Sequence, residues 1–171
     1  HGNAPGGLFH GHADQFAMLV DIDRRRLSGC TDHDNGVGFF TNMKIHQISE
    51  GIEISVETFY QSDYSSAVSN EFMFAYRITI ENHNHFNVKL LRRHWEIFDS
   101  CGEHKVVDGE GVIGIQPIIK PSDRYQYISG CNLKSELGRM QGTYEMENEN
   151  NKTLFTVRIP GFDLIVPSKL N

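Results

Sequence analysis

From Gly51 onward the chain alternates apolar and polar residues with a period of two. Ile52, Ile54, Val56 and Thr58 fall on one side of an extended chain and Glu53, Ser55 and Glu57 on the other, as in a strand with one face buried and one wet. Phe72, Phe74, Tyr76, Ile78 and Ile80 repeat the pattern in a longer run with an aromatic face. Gln61 to Asn70, rich in Ser, Asp and Asn, reads as the loop between them. After a polar turn at Glu81 to His85, the segment Phe86 to Phe98 predicts a third long strand whose apolar parity switches. Val88 and Leu90 belong to one set, Leu91, Trp95 and Ile97 to the other. An extra residue near Leu90 and Leu91, a β-bulge, accounts for the switch.

A turn signal at Asp99 to Gly102 follows, then the apolar pair Val106 and Val107, which leads into a glycine-rich loop. Pro117 and Pro121 punctuate the next segment. Arg124 to Ile128, Met140 to Met146, Leu154 to Ile159 and Phe162 to Val166 each read as strands. About seven or eight short strands without a persuasive long helix predict an all-β, antiparallel fold, a two-sheet sandwich with a closed barrel as the alternative.

The first 42 residues break this pattern. They are rich in Gly, His and Asp and allow only a short helix over Phe16 to Leu27. Residues 1–42 therefore read as an irregular, mobile or artefactual leader, with Met43 as a natural start and residues 43–171 as the domain. His10 and His12 supply two metal ligands without fixed geometry.

Composition narrows the function classes. The 171 residues suit one domain, and a formal charge of -6 offers no overall attraction to nucleic acid. The acidic balance survives loss of the leader, which holds Arg24, Arg25 and Arg26 against Asp14, Asp21, Asp23, Asp32 and Asp34. With no apolar run long enough to cross a bilayer and no secretory signal pattern, neither membrane insertion nor secretion is expected, and the location is read as cytoplasmic. Cys30, Cys101 and Cys131 are odd in number and widely spaced, so they read as reduced thiols, with Cys131 in a buried turn.

Three groups carry candidate chemistry. Gly109-Glu110-Gly111-Val112-Ile113-Gly114 matches G-x-G-x-x-G, but prolines and β-branched residues follow where a dinucleotide site needs a helix. The glycines read first as a sheet corner, and second as a turn whose amides hold a phosphate. Arg92, Arg93, His94 and Trp95 share a strand. If Trp95 faces the core, Arg93 lies on its side and is anchored by a carboxylate, whereas Arg92 and His94 point outward towards an anion or partner. His83 and His85 form an exposed pair that could share a metal with Glu81, although whether metal binds directly is left open by the sequence. No nucleophile motif is present.

Several segments together resemble the ApaG family: L-L-R-R-H-W-E-I at Leu90 to Ile97, V-D-G-E-G-V-I-G-I-Q-P at Val107 to Pro117, S-G-C-N-L at Ser129 to Leu133, G-R-M-Q-G-T-Y at Gly138 to Tyr144, and I-P-G-F at Ile159 to Phe162. Ile115 and Ser122 depart from the usual family pattern. The resemblance implies an immunoglobulin-like or fibronectin type III-like β-sandwich. It also implies a non-enzymatic binding module associated with Co2+ resistance and Mg2+ efflux, without a cofactor and with an unidentified protein partner. The same domain occurs in certain F-box proteins and in a DNA-polymerase-interacting protein. The family's operon link to a diadenosine tetraphosphate hydrolase motivates the alternative, a phosphate, pyrophosphate or nucleotide ligand at Gly109 to Gly114, with Arg92, Arg93 or Lys105 as charge partners. An edge strand leaves homodimerisation open.

Overall fold

The alternation from Gly51 becomes paired strands in the computed structural model, which describes residues 44–170. The leader, its short helix, Cys30 and the His10 and His12 pair lie outside these residues. The strands are β1 (Ile45–Ser49), β2 (Ile52–Tyr60), β3 (Phe72–Asn82), β4 (Val88–Asp99), β5 (His104–Glu110), β6 (Ile118–Ile119), β7 (Arg124–Leu133), β8 (Leu137–Asn148) and β9 (Leu154–Ile165). Helical structure among the described residues is confined to single 3-10 turns at Ser62–Tyr64 and Pro167–Lys169. None of their helices is long and apolar enough to cross a membrane.

Two antiparallel sheets result. One runs β1-β2-β3-β7; the other runs β5-β4-β8-β9, with β6 also paired to β4. Both are open, so the sandwich is realised and the barrel is not. The groups β2-β3-β7 and β5-β4-β8-β9 reproduce the A-B-E and C′-C-F-G arrangement of a fibronectin type III sandwich, with β1 added at one edge.

The inward positions of both sheets form one core. Ile52, Ile54, Val56, Phe74, Ile78 and Ile80 from the first sheet are buried with Leu90, Met140, Met146, Val157 and Leu164 from the second. Full burial of each such side chain contributes about 1.5–3 kcal/mol relative to exposure. Trp95 joins the layers, its ring 5.6 Å from Tyr76 and 5.9 Å from Phe162.

Several boundaries differ from the expectation, for local reasons. β1 is short and its burial only partial, so its sequence shows little alternation. β7 runs straight through Ser129, Gly130 and Cys131, which puts the buried Cys131 in a strand and not in a turn. The two final strands are one, β9, because a bulge absorbs Pro160 and Gly161: Gly142 pairs with Ile159 and Met140 with Phe162. Proline is tolerated at such a bulge on an edge strand, where no ladder hydrogen bond is lost. The bulge expected near Leu90 and Leu91 is present, as a register shift between Leu90 and Arg92.

Candidate functional site

The bulge at Leu91 positions the glycine-rich loop. β5 pairs with β4 from Arg92 to Phe98, and β6 pairs with it at Val88 and Lys89, along the same edge. The chain from Gly111 to Pro117 must step across the bulge between them. The Leu91 carbonyl, freed from the ladder, accepts hydrogen bonds from Gly111 N at 2.8 Å and Gln116 Nε2 at 3.0 Å, while Leu90 N donates to Pro117 O. Val112 and Ile115 close the loop by exchanging two backbone hydrogen bonds around Ile113 and Gly114, both at positive φ. Gly111 is required by space as well as by its φ of 54°, since a Cβ there would lie 2.0 Å from Ile115 O.

Strand pleating sorts the basic residues as the sequence suggests. Trp95 is buried, and Arg93, two residues away on the same face, lays its guanidinium over Gly109. Its anchor is a pair of carbonyls and not the carboxylate expected: Arg93 Nη1 donates to Glu110 O at 3.0 Å and Gly111 O at 2.7 Å. Arg93 thus staples the corner. On the opposite face, His94 Nδ1 lies 2.8 Å from Asp108 Oδ1 across the β4–β5 pair. Arg92 is exposed, and among the described residues no carboxylate forms an ion pair with it. Glu110 is Arg92's cross-strand neighbour, and Gly114 occupies the turn tip.

The amides of Gly111, Val112 and Ile115 all donate to backbone carbonyls of the corner. A phosphate nest needs such amides free and convergent. Lys105, the third proposed charge partner, forms an ion pair with Glu103 at 3.5 Å.

Behind Arg93 lies a phenol cluster that sequence reasoning did not single out. Tyr127 Oη and Tyr144 Oη are 2.5 Å apart and join the two sheets, and Tyr76 stands opposite Ser129 in the β3–β7 register. Burial pushes Tyr76 up to about 12 and raises Tyr127 and Tyr144 above the ordinary phenol range. These groups stay neutral near neutral pH and serve packing. Cys131 is held protonated in the same way, pushed up to about 12 by burial.

Among the described residues, no strand pairs with the outer edge of β5. Along it and the following corner stand exposed apolar side chains: Val106 (52%), Val107 (37%), Ile113 (38%), Ile115 (51%) and Ile118 (52%). Val106 and Val107, successive on β5, point to opposite faces, so what they share with the corner's isoleucines is proximity to the edge backbone, which among the described residues offers its hydrogen-bonding groups to an added strand. Elsewhere, His83 comes together with Glu81 and also with Glu53, whereas His85 stays outside that group. Glu53 was missed because its strand neighbours in sequence give no hint of Glu81 opposite it.

These features define a class: a small fibronectin type III-like β-sandwich with an arginine-stapled glycine corner beside an open edge strand. The ApaG domain matches residues 62–148, and the chain belongs to the ApaG family. Protein ApaG of Paramagnetospirillum magneticum is 46% identical over 121 residues, covering 71% of this chain and 92% of that protein. Protein ApaG of Brucella anthropi is 43% identical over 122 residues, covering 71% and 93%. Among solved structures, the putative ApaA protein from Bordetella pertussis is 33% identical with a TM-score of 0.66, covering 72% of this chain and 97% of that one. An X-ray structure of a structural genomics target is 37% identical with a TM-score of 0.67, covering 73% and 94%.

Proposed function

We propose that this ApaG domain is a non-enzymatic binding module that docks a protein partner along β5 and the adjoining corner. The observation that carries the reading is the β5 edge, unpaired among the described residues, with exposed Val106 and Val107 on it and exposed isoleucines in the corner that follows. An edge of this kind offers backbone hydrogen bonds to an added strand, and its side chains supply apolar contact. The non-catalytic half draws support from the state of the interior groups: Cys131 and the three tyrosines are buried, neutral and aimed at the core. The association with Co2+ resistance and Mg2+ efflux comes from the family resemblance and belongs to this proposal, as does a cytoplasmic location.

The test is affinity capture from a bacterial lysate, with and without divalent metal, using the wild-type chain and a Val106→Lys variant. A charge on an edge strand opposes strand addition. The wild type should return a reproducible partner that the variant loses while keeping its fold. If the wild type returns no specific partner, or the variant retains the same one, the edge reading fails.

The phosphate alternative has less support, because the corner's amides and Arg93 are already engaged by carbonyls. Substituting Gly111 is a poor probe of it, since an added Cβ collides with Ile115 O whatever binds. Arg92→Ala is the cleaner variant. Saturable pyrophosphate binding that this substitution abolishes would favour the alternative.

A further inference from the structure

The outer face of the first sheet contains a charge arrangement that strand pairing alone does not favour. Glu53 on β2 and Glu81 on β3 are cross-strand partners, with Arg124 of β7 opposite Glu81 on its other side, and like charges directly opposite one another destabilise a sheet. Among the described residues, no lysine or arginine forms an ion pair with either. Two imidazoles approach instead. His83 Nε2 lies 3.1 Å from Glu53 Oε2, and His46 Nδ1 on β1 lies 3.0 Å from Glu53 Oε1. The donor atoms of Glu53, Glu81 and His83 all fall within 4.8 Å of one another.

The backbone holding these groups is fixed from several sides. His46, Glu53 and Glu81 stand on strands in continuous register. His83 sits on a turn that is docked on the β1–β2 hairpin: His83 N donates to Gly51 O at 2.9 Å, and Asn84 Nδ2 donates to Glu50 O at 3.0 Å. Gly51 permits that docking, because a Cβ there would meet the Asn84 amide at 2.4 Å. The fully buried Asn82 locks the turn from below, donating from Nδ2 to Phe86 O at 2.8 Å and Ile119 O at 2.9 Å while Oδ1 accepts from Asn84 N. The ligands are therefore presented by rigid elements, as a defined coordination site needs.

We propose that Glu53, Glu81 and His83, with His46 as a fourth donor, bind a divalent first-row transition ion such as Zn2+. Two imidazoles beside two carboxylates suit zinc and its transition-metal neighbours, whereas Mg2+ favours all-oxygen octahedral sites and keeps its waters. With metal–ligand bonds of about 2.0–2.2 Å, donors around one ion lie within about 4 Å of each other. Glu53, Glu81 and His83 are within 4.8 Å of one another, and the exposed His46, outside that group but 3.0 Å from Glu53, swings in to complete the set. The ion neutralises the Glu53 and Glu81 pair and replaces the hydrogen bonds that the imidazoles now make to Glu53. The second group of possible ligands, Asp99, Cys101 and Glu103, differs in kind. There Asp99 caps backbone amides and Glu103 is ion-paired to Lys105 and Lys134, leaving no comparable donor set.

The site is independent of the β5 docking surface. Its test is Zn2+ titration of the full chain, followed by calorimetry and by NMR of the histidine rings, in a His10→Ala/His12→Ala background that removes the leader pair. One ion should bind saturably, with the His46 and His83 resonances moving together. Loss of an outer partner of a metal ligand costs about 10–100-fold in affinity, so His83→Ala and Glu53→Gln should each weaken binding at least about tenfold. His85→Ala should leave it unchanged, and excess Mg2+ should not displace Zn2+. The amide spectrum of each variant reports whether the fold survives, and Glu81→Gln, at a half-buried position, provides a second carboxylate variant. Unchanged affinity in folded His83→Ala, shifts confined to other histidines, or no saturable binding would overturn the site.

Discussion

The two faces of β4 receive residues of similar chemistry and use them differently. On the inner face, Trp95 fills the core and Arg93 is fixed by the Glu110 and Gly111 carbonyls. On the outer face, one residue along, Arg92 is exposed and His94 makes a solvent-accessible contact with Asp108. A period of two separates structural from available groups within a single R-R-H-W run. Charge alone does not make a binding residue. What decides is whether its hydrogen-bonding capacity is already consumed by the fold.

Substitutions along this strand should expose the difference in graded steps. The largest loss is expected for Trp95→Ala, about 3–5 kcal/mol in chemical denaturation, because a large buried ring is replaced by a cavity. Arg93→Ala should cost about 1–3 kcal/mol by leaving two corner carbonyls without their donor. Faster amide exchange at Gly109 to Ile115 should accompany it, with the rest of β4 still protected. A loss nearer zero would mean that the staple contributes nothing.

Asp99, at the end of the same strand, gives a pH-dependent comparison. Burial pushes its carboxyl up, but hydrogen bonds from Ser135 Oγ, Lys134 N and Cys101 N outweigh this and hold it below its ordinary value of 3.8. A folded value below the unfolded one stabilises the protein at pH above the unfolded value and ceases to do so as pH falls through the folded value. The stability gap between wild type and Asp99→Asn should accordingly be constant at pH well above 3.8 and shrink as pH falls below that value and through the lower, folded one. A gap independent of pH would show that the carboxylate's charge is immaterial.

Tyr127→Phe removes one member of the phenol pair and should cost about 1–2 kcal/mol, with the Tyr127→Phe/Tyr144→Phe double variant less destabilised than the sum. The smallest effect belongs to the outer face. His94→Ala should change stability by no more than about 0.5 kcal/mol, since exposed ion pairs contribute little.

The sheet architecture was legible because burial imposes strict alternation: Ile52 to Val56 and Phe72 to Ile80 are read directly as inward positions. The β4 bulge was legible for the same reason, as a parity switch between Leu90 and Leu91. β1 was not, since a partly exposed strand need not alternate, and neither was the second half of β7, where the inward positions alternate but are held by Ser129 and Cys131 around Gly130 and so carry no apolar signal. For the site, the sequence placed Arg93 beside Trp95 but assigned it a carboxylate, because carbonyl partners leave no mark in side-chain identities. Glu53 and Glu81 are far apart in the chain, and only the β2–β3 register brings them together. Cross-strand pairs of this kind are invisible until the register is known.

The central claim, that β5 is a docking edge while the neighbouring corner is structural, is tested most directly by residue-resolved amide exchange of the chain with and without its captured partner. New protection should concentrate in residues 104–110 and the corner's exposed isoleucines, with exchange in the core strands of the first sheet unchanged. Protection that appears elsewhere and leaves β5 exchanging as in the free chain would contradict it.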